Sequence, residues 1–448
     1  MTDFSSQTIC APATAFGGAV AILRLSGPDA AGIAARLWHG KSQLAKSYAR
    51  RLLLGTLSDD HGELLDASCL AVYMPGPQSY TGEDVVELQI HGGAIAAKLA
   101  LQALFASGAR CAEPGEFTRR AFLNGKMDLT QAEAVAEVVA AESRSALALA
   151  NQQLNGTLGN EITRLYNDLK VLLSEVESHL DFPDEELDWM PQEEIARRLD
   201  ACRNAIAALG ETRKEGEILR DGVSLVIAGA PNVGKSSLLN RLLGRERAIV
   251  SAIPGTTRDT IEAELSIRGI PVHLVDTAGA HDATDLVEQT GIQRAKEAAA
   301  QADVVLWLTD ATRPGESPWP EWPRHGALVQ AANKCDLADP PDGLLGISAT
   351  TGEGISALEE ALETAILGRS GGLSHGLSHG IAVSARHATM LDQAGDALRS
   401  VSDLTSQNAW ELAAIPLRRA IAALGGITGQ AVSPDVLDTI FHRFCIGK

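Results

Sequence analysis

The sequence predicts a multidomain protein: an α+β domain first, then an all-helical domain interrupted by an inserted α/β domain. Three observations lead there. Residues 1–120 alternate short β-like runs with turns. Before about residue 215 and again after about 380, apolar residues recur at helical spacing. The block between, about 220–368, alternates strand-like and helix-like segments, the pattern of a parallel sheet with crossover helices. The chain divides accordingly into 1–120, 121–215, 216–370 and 371–448, the second and fourth forming one discontinuous helical domain. A length of 448 residues, at roughly 150 per domain, agrees with two to three domains.

In the first domain, AVAILRLS (19–26), RRLLLGTLS (50–58), SCLAVYM (68–74) and DVVELQI (84–90) are predicted strands, punctuated by PGP at 75–77 and HGG at 91–93. Beyond 121, Leu147, Leu154, Leu158, Ile162, Leu165, Leu169, Leu172, Val176 and Leu180 draw one apolar stripe down a single long helix. DFPDEELDW (181–189) ends it with Pro183 and a cluster of acids, and a second helix runs to about 213. LRRAIAALGGITG (417–429) and DVLDTIFHRF resume the helical pattern. GGLSHGLSHG (371–380) repeats GLSH as the chain leaves the inserted domain; its Gly and Ser content marks a flexible linker rather than a histidine metal site.

Hydrophobic content of 45% is that of a globular chain, and with aromatics at 4% the cores must be built mostly from Leu, Ile, Val and Ala. A net charge of −19 gives no long-range attraction to nucleic acid or anionic lipid. Contact with RNA would need local cations or a basic partner. The cysteines at 10, 69, 111, 202, 335 and 445 form no C-x-x-C pair, which argues against zinc or a disulfide framework and for a reducing compartment. MTDFSSQTIC lacks a basic n-region and no apolar run is long enough to cross a bilayer, so a cytoplasmic protein without membrane contact is expected.

GAPNVGKS (229–236) follows the apolar strand VSLVIAG and opens a helix near Lys235, fitting G-x-x-x-x-G-K-[ST] in the context it requires. Glycines let backbone N–H groups wrap phosphates, Lys235 reaches the β and γ oxygens, and the Ser236 hydroxyl binds Mg²⁺. DTAG (276–279) places Asp276 near the metal and the Gly279 N–H near the γ-phosphate, while GTTRD (255–259) offers Thr257 to the Mg²⁺ shell. In NKCD (333–336), Asp336 accepts two hydrogen bonds from a guanine edge, and ISAT (347–350) gives a backbone N–H to the guanine oxygen. Adenine presents a donor at that place, so GTP is the expected nucleotide. The glutamine that usually follows DxxG to orient water is replaced by Ala280 and His281. Two residues offer substitutes. Asn232 is a ligand for a monovalent cation beside the phosphates, or only a turn residue; Glu288 orients water, or is only a solvated charge.

Together with AILRLSG (21–27), PGPQSYTGEDVVELQIHGG (75–93), PGEFTRRAFLNGKMDLTQAEA (114–134), DFPDEE (181–186), GAPNVGKSSLLN (229–240) and the terminal FCIGK, these motifs resemble the MnmE (TrmE) family of bacterial tRNA-modification GTPases over essentially the whole chain. The resemblance implies a tetrahydrofolate-binding-like N-terminal domain that pairs into a homodimer and binds a one-carbon tetrahydrofolate, in the 5,10-methylene or 5-formyl form. It implies a Ras-like P-loop G domain inserted into the helical one. It further implies a heterotetramer with the flavoprotein MnmG, which carries the FAD. That complex adds an aminomethyl or carboxymethylaminomethyl group to C5 of the tRNA wobble uridine, with GTP hydrolysis following K⁺-dependent pairing of G domains.

Residue by residue, the resemblance assigns GTP contacts to Asn232, Val233, Gly234, Lys235, Ser236 and Ser237, and to Ser251, Ala252, Ile253, Pro254, Gly255, Thr256 and Thr257. It continues them through Asp276, Thr277, Ala278 and Gly279, then Asn333, Lys334, Asp336, Ser348 and Ala349. K⁺ falls to Asn232, Ser251, Ile253 and Thr256, Mg²⁺ to Ser236 and Thr257, and the water to Glu288 as catalyst. Folate falls to Arg24, Glu87, Lys126 and Lys448: a carboxylate binds a pterin edge and cations hold a glutamate tail. Ala280-His281 departs from the Leu-Arg found in some members, which puts a switch role for that arginine in doubt.

Cys445, four places from the end, is followed by Gly447 and Lys448 where a prenylation box wants aliphatic residues and a small or apolar last residue, so a lipid anchor is the weakest reading of it. It is either a packed small residue near the folate pocket or a thiol assisting one-carbon transfer. Arg119, Arg120, Lys126, Arg418, Arg419 and Arg443 are local cations that could touch tRNA, most of whose backbone the acidic chain leaves to its partner. A ribosome-assembly GTPase would share every nucleotide motif but need no folate site. A dynamin-like scaffold would need membrane-binding segments, which the sequence lacks.

Overall fold

The computed structural model describes residues 7–181, 190–245, 261–275, 296–315, 322, 324–368 and 381–448. It divides into one unit of Met1–Ala136 with Gly425–Lys448 and a second of Glu137–Leu424.

The first unit carries a seven-stranded sheet. Its strands are β1 (Ile9–Pro12), β2 (Val20–Ser26), β3 (Trp38–Gly40), β4 (Leu53–Ser58), β5 (Leu64–Met74), β6 (Val85–His91) and β7 (Arg110–Cys111), in the order β3-β4-β5-β6-β2-β1-β7. Only β1 and β7 pair parallel. The four strands expected from sequence are β2, β4, β5 and β6; the short β1, β3 and β7 carry too few residues for alternation to register. Period-two alternation sends Ala21, Leu23 and Leu25 of β2 and Val86, Leu88 and Ile90 of β6 into a core shared with the helices Ala30–Leu37 and Ala94–Ala106. The intervening Arg24 and Glu87 therefore emerge on the opposite face, directly paired in register.

On that opposite face Phe117 of helix Glu116–Leu123 shares a core with Ile9 and Ala11 of β1, and the C-terminal helix Pro434–Phe441 packs on helix Glu116–Leu123. Phe441 and Phe444 pack with Leu129, Ala132 and Leu437, each ring contributing roughly 1.5–3 kcal/mol by burial. Gly115, at φ 67, starts the helix in a left-handed turn, and a Cβ there would press on the Phe441 carbonyl and the Phe444 side chain. A buried chain of charges fixes this corner. Arg110 bonds Glu116 at 2.6 and 3.0 Å, Arg120 bonds Glu116 at 2.9 Å, and Arg120 reaches Glu83 at 3.0 Å. Arg120 is 3% exposed, so it holds the fold rather than reaching for RNA; Arg119 is committed to Asp438 at 2.7 Å.

The second unit holds a six-stranded sheet of β8 (Val223–Gly229), β9 (Ile261–Ile267), β10 (Ile270–Val275), β11 (Val304–Asp310), β12 (Ala327–Asn333) and β13 (Leu345–Gly346), in the order β13-β12-β11-β8-β10-β9. All pairs are parallel except the β9–β10 hairpin. Both faces are covered, as a parallel sheet requires. Leu225 and Ile227 of β8 meet Leu238, Leu358 and Leu362 on one face, whereas Val226 and Ala228 meet Ala299, Val305 and Trp307 on the other. The two helical stretches, far apart in sequence, pack together here: helix Ala385–Leu398 lies on helix Gln192–Glu211.

The single long helix expected from Leu147 to Leu180 is two helices, Arg144–Leu154 and Thr157–Asp181. Gly156 adopts φ 84 between them, and its N–H bonds the Gln153 carbonyl at 2.9 Å. Leu158, Ile162, Leu165, Leu169, Leu172 and Val176 of the expected stripe are buried, but Leu147 and Leu180 are exposed, and the helix before the break buries Ala146, Leu149 and Ala150 instead. No described helix is long and apolar enough to cross a membrane. The linker 371–380 and most of 181–189 lie outside the described residues.

Burial alone would raise the Glu116 pKa, but Arg110, the Glu113 N–H and Arg120 together hold it below the ordinary 4.5. Its contribution to stability is present above about pH 4.5 and is lost as pH falls through the lower folded value. Glu116→Gln removes the charge that Arg110 and Arg120 share, while Arg120 keeps Glu83; it is expected to cost about 1–3 kcal/mol in urea unfolding at pH 7, with the deficit shrinking in acid. An unchanged midpoint at pH 7 would remove the network from the account of this corner.

Candidate functional site

The parallel strands β8, β11 and β12 end side by side, with Gly229 in register with Leu308 and Asp310 with Asn333. Ligands in open α/β sheets sit at such carboxyl ends. From β8 the chain turns tightly through Asn232 at φ 65 and Gly234 at φ 96, then enters the helix Lys235–Arg245. Gly229 and Gly234 have no room for a side chain: a Cβ would strike the Leu308 carbonyl at the first and the Asn333 amide at the second. The result is a loop of backbone N–H groups crowning a helix N-terminus, a fit for phosphate. Lys235 lies within it. Its ammonium bonds the Gly229 and Ala230 carbonyls at 2.9 and 2.8 Å, and burial pushes its pKa below the usual lysine range. Ser236 and Ser237 are exposed in the first helical turn, which leaves the Ser236 hydroxyl open to a divalent ion. Val233 is buried and anchors the loop to the core.

Asn333, 3% exposed, ties three segments together. Its Nδ2 donates to the Val233 carbonyl at 2.8 Å, and its Oδ1 accepts from the Ala349 N–H at 2.9 Å. The phosphate loop and the 347–350 turn are thus held by one side chain. The Cys335 N–H bonds the Ile347 carbonyl, and the Thr351 N–H bonds Ser348 Oγ, which shapes the same turn. Lys334, at φ 68, reaches Asp310 at 2.6 Å. Burial opposes the Asp310 charge, but Lys334 and Thr312 hold its pKa below the carboxylate norm. Asp336 is exposed beyond it. Sequence reasoning missed Asp310 and also Arg241, whose Nε bonds the Ala349 carbonyl at 2.9 Å. The acid ending the apolar run VVLWLTD is the only signal for Asp310, and an arginine on a helix gives none. Ser251, Ala252, Ile253, Pro254, Gly255, Thr256, Thr257, Asp276, Thr277, Ala278, Gly279 and Glu288 lie outside the described residues.

In the first unit, Arg24 Nε donates to Glu87 at 2.8 Å. The Arg24 guanidinium lies 5.7 Å from the Tyr80 ring and 5.8 Å from that of Phe117, aromatic neighbours the sequence did not single out. Residues 445–448 run beside them. The Arg24 guanidinium is 3.5 Å from the Gly447 carbonyl, the Phe117 N–H donates to Lys448 O at 3.2 Å, and the Gly115 N–H faces Cys445 O at 3.4 Å. Gly447 takes φ 99, where a Cβ would strike the Pro12 carbonyl. A cation, a carboxylate and two aromatic faces suit a ligand with a flat polar ring and an anionic tail. Lys126 is not hydrogen-bonded to this group; its ammonium donates to the Pro77 carbonyl at 3.0 Å. Cys445 is exposed, so the packed-residue reading does not describe its side chain here.

The phosphate loop at the end of a central parallel strand, locked to Asn333, defines the class: a P-loop protein with a Ras-like G-domain fold. The MnmE helical domain model matches residues 129–445 and the GTP-binding protein TrmE N-terminus model residues 8–126. The tRNA modification GTPase MnmE of Akkermansia muciniphila is 41% identical over 454 residues, covering 100% of both chains. That of Opitutus terrae is 44% identical over 458 residues, covering 99% of each. Among solved structures, the FeoB G-domain from Methanococcus jannaschii overlaps 32% of this chain and 97% of its own at 22% identity, with a TM-score of 0.25. With full-length relatives at this identity, the chain belongs to the MnmE family of tRNA modification GTPases.

Asn333→Ala strands one buried acceptor and one buried donor. It is expected to cost about 2–4 kcal/mol in nucleotide-free unfolding and to weaken guanine-nucleotide affinity in parallel, measured by titration. Wild-type values for both would show that the bridge is dispensable.

Proposed function

We propose that this chain hydrolyses GTP to drive tRNA modification, working in the cytoplasm as a homodimer joined through its N-terminal region. With the flavoprotein MnmG, which brings FAD, it would form a heterotetramer that adds an aminomethyl or carboxymethylaminomethyl group to C5 of the wobble uridine. The reading rests chiefly on one observation: the phosphate loop, Asn333 and the 347–350 turn converge in a chain that aligns end to end with tRNA modification GTPases. The net charge of −19 favours a division of labour in which the partner holds most of the tRNA backbone.

In this reading Lys235 exchanges its two loop carbonyls for β- and γ-phosphate oxygens, while the N–H groups of 232–237 hold the rest. Ser236 and Thr257 ligate Mg²⁺, which when bound neutralises charge growing on the transferred phosphoryl group. Asn232, the carbonyls of Ser251 and Ile253, and Thr256 hold K⁺ beside the phosphates. Asp276 would stand near the Mg²⁺ and the Gly279 N–H near the γ-phosphate, and Glu288 would orient the attacking water. Asp336 accepts from the guanine edge, with Lys334, Ser348 and Ala349 flanking it. On the first unit, Glu87 binds the pterin edge, Arg24, Lys126 and Lys448 steady the anionic tail, and Cys445 offers an exposed thiol to the one-carbon unit.

Nucleoside analysis of tRNA from cells lacking this chain tests the whole reading: the modified wobble uridine is expected to vanish and to return with the intact gene. Its persistence would end the proposal. For the G domain, GTP turnover in KCl is expected to exceed that in NaCl by about ten- to a hundredfold, with the preference lost in Asn232→Ala. A rate indifferent to the cation would remove the ion. For the first unit, Arg24→Ala is expected to weaken tetrahydrofolate binding at least about tenfold by calorimetry while sparing GTP turnover. Unchanged folate affinity would move the pocket elsewhere.

A further inference from the structure

Glu142 and two residues of the β9–β10 hairpin meet away from the phosphate loop. Glu264 on β9 and His273 on β10 are register partners, so their side chains leave the same face of the hairpin. Glu142 lies in the turn before helix Arg144–Leu154, whose N-cap Ser143 accepts from the Ala146 N–H at 3.1 Å. This turn is fastened to the hairpin. Ser145 Oγ donates to the Gly269 carbonyl, and Leu149 shares a core with Ile270, Val272 and Leu274. One ligating atom from each of Glu142, Glu264 and His273 lies within 4.8 Å of the other two.

The two nitrogens of His273 are not equivalent. Nε2 stands 2.9 Å from the Asp221 carbonyl, which can only accept, so Nε2 carries the proton and Nδ1 the lone pair. Nδ1 is buried and has no hydrogen-bond partner. Buried acceptors are seldom left so. The carboxylates are crowded as well, with an oxygen of Glu142 within 4.8 Å of one on Glu264. A proton-free imidazole nitrogen beside two anionic groups is a donor set that wants a divalent cation. Imidazole selects a zinc-class ion over Mg²⁺ or Ca²⁺. The Asp221 carbonyl then plays the orienting role that a metal-bound histidine usually has at its second nitrogen.

We propose that Glu142, Glu264 and His273 Nδ1 form a binding site for a zinc-class divalent cation, with water in the fourth position. A tetrahedral ion with bonds of about 2.0–2.2 Å holds its ligands about 3.4 Å apart. Closing from within 4.8 Å to that spacing needs side-chain rotation, for which Glu142 is exposed and free to turn. Bound metal would staple the hairpin to the turn ahead of helix Arg144–Leu154. The site is independent of the GTP reading, since no residue of the phosphate loop takes part.

The test uses the full chain, stripped with chelator and free of nucleotide, titrated with zinc against a chromophoric competitor. The unmodified chain is expected to take up one equivalent more than Glu142→Gln, Glu264→Gln or His273→Gln, each weakened at least about tenfold at that equivalent. Glu142→Gln changes an exposed residue, and metal-free melting of each variant checks its folding. Zinc uptake by Glu142→Gln or His273→Gln equal to the unmodified chain overturns the proposal, as does an unmodified chain that takes up none.

Discussion

The second unit depends on a single buried amide. Asn333 sits at the end of β12 and uses both ends of its carboxamide, donating one N–H to the phosphate loop and accepting one from the 347–350 turn. The low exposure of this residue strengthens both bonds and makes either one costly to lose. Gly234 is glycine because the amide occupies the space its Cβ would need. The phosphate loop and the 347–350 turn are therefore one tied assembly rather than two loops that happen to lie near each other. Arg241 reinforces the same turn from the helix that follows the phosphate loop.

The first unit solves a different problem with a different device. Its sheet buries one face under two helices and turns the other toward a pair of charges and two aromatic rings. Arg110, Glu116, Arg120 and Glu83 alternate in sign along one line, with Glu116 and Arg120 buried at its centre, so each charge has an opposite neighbour. That line sets the start of the helix on whose first N–H groups the tail residues rest. Stability and site construction share the same residues, which is why RR at 119–120 belongs to the fold and not to an RNA-facing patch.

Legibility in the sequence followed locality. The phosphate loop could be read because all its determinants lie within eight consecutive residues and the strand before them. Arg24 and Glu87 were singled out by the family resemblance alone, and their ion pair depends on the β2–β6 register, which only the folded sheet supplies. Tyr80 and Phe117 were invisible for the same reason. Asp310 and Arg241 act through partners far away in the chain. The break at Gly156 was missed because leucines recur at helical spacing on both sides of it, although Leu147 is exposed and the first helix buries Ala146, Leu149 and Ala150 instead.

That hinge has a consequence for how one stretch of chain serves two masters. The short helix ahead of it lies on the β10 hairpin, while the long helix after it lies along Gln192–Glu211. A continuous rod could not follow both directions, and a side chain at Gly156 would add roughly 1 kcal/mol of left-handed strain. The glycine acts as an elbow: it lets the G-domain edge and the helical bundle each dictate the heading of its own cylinder without either bending the other.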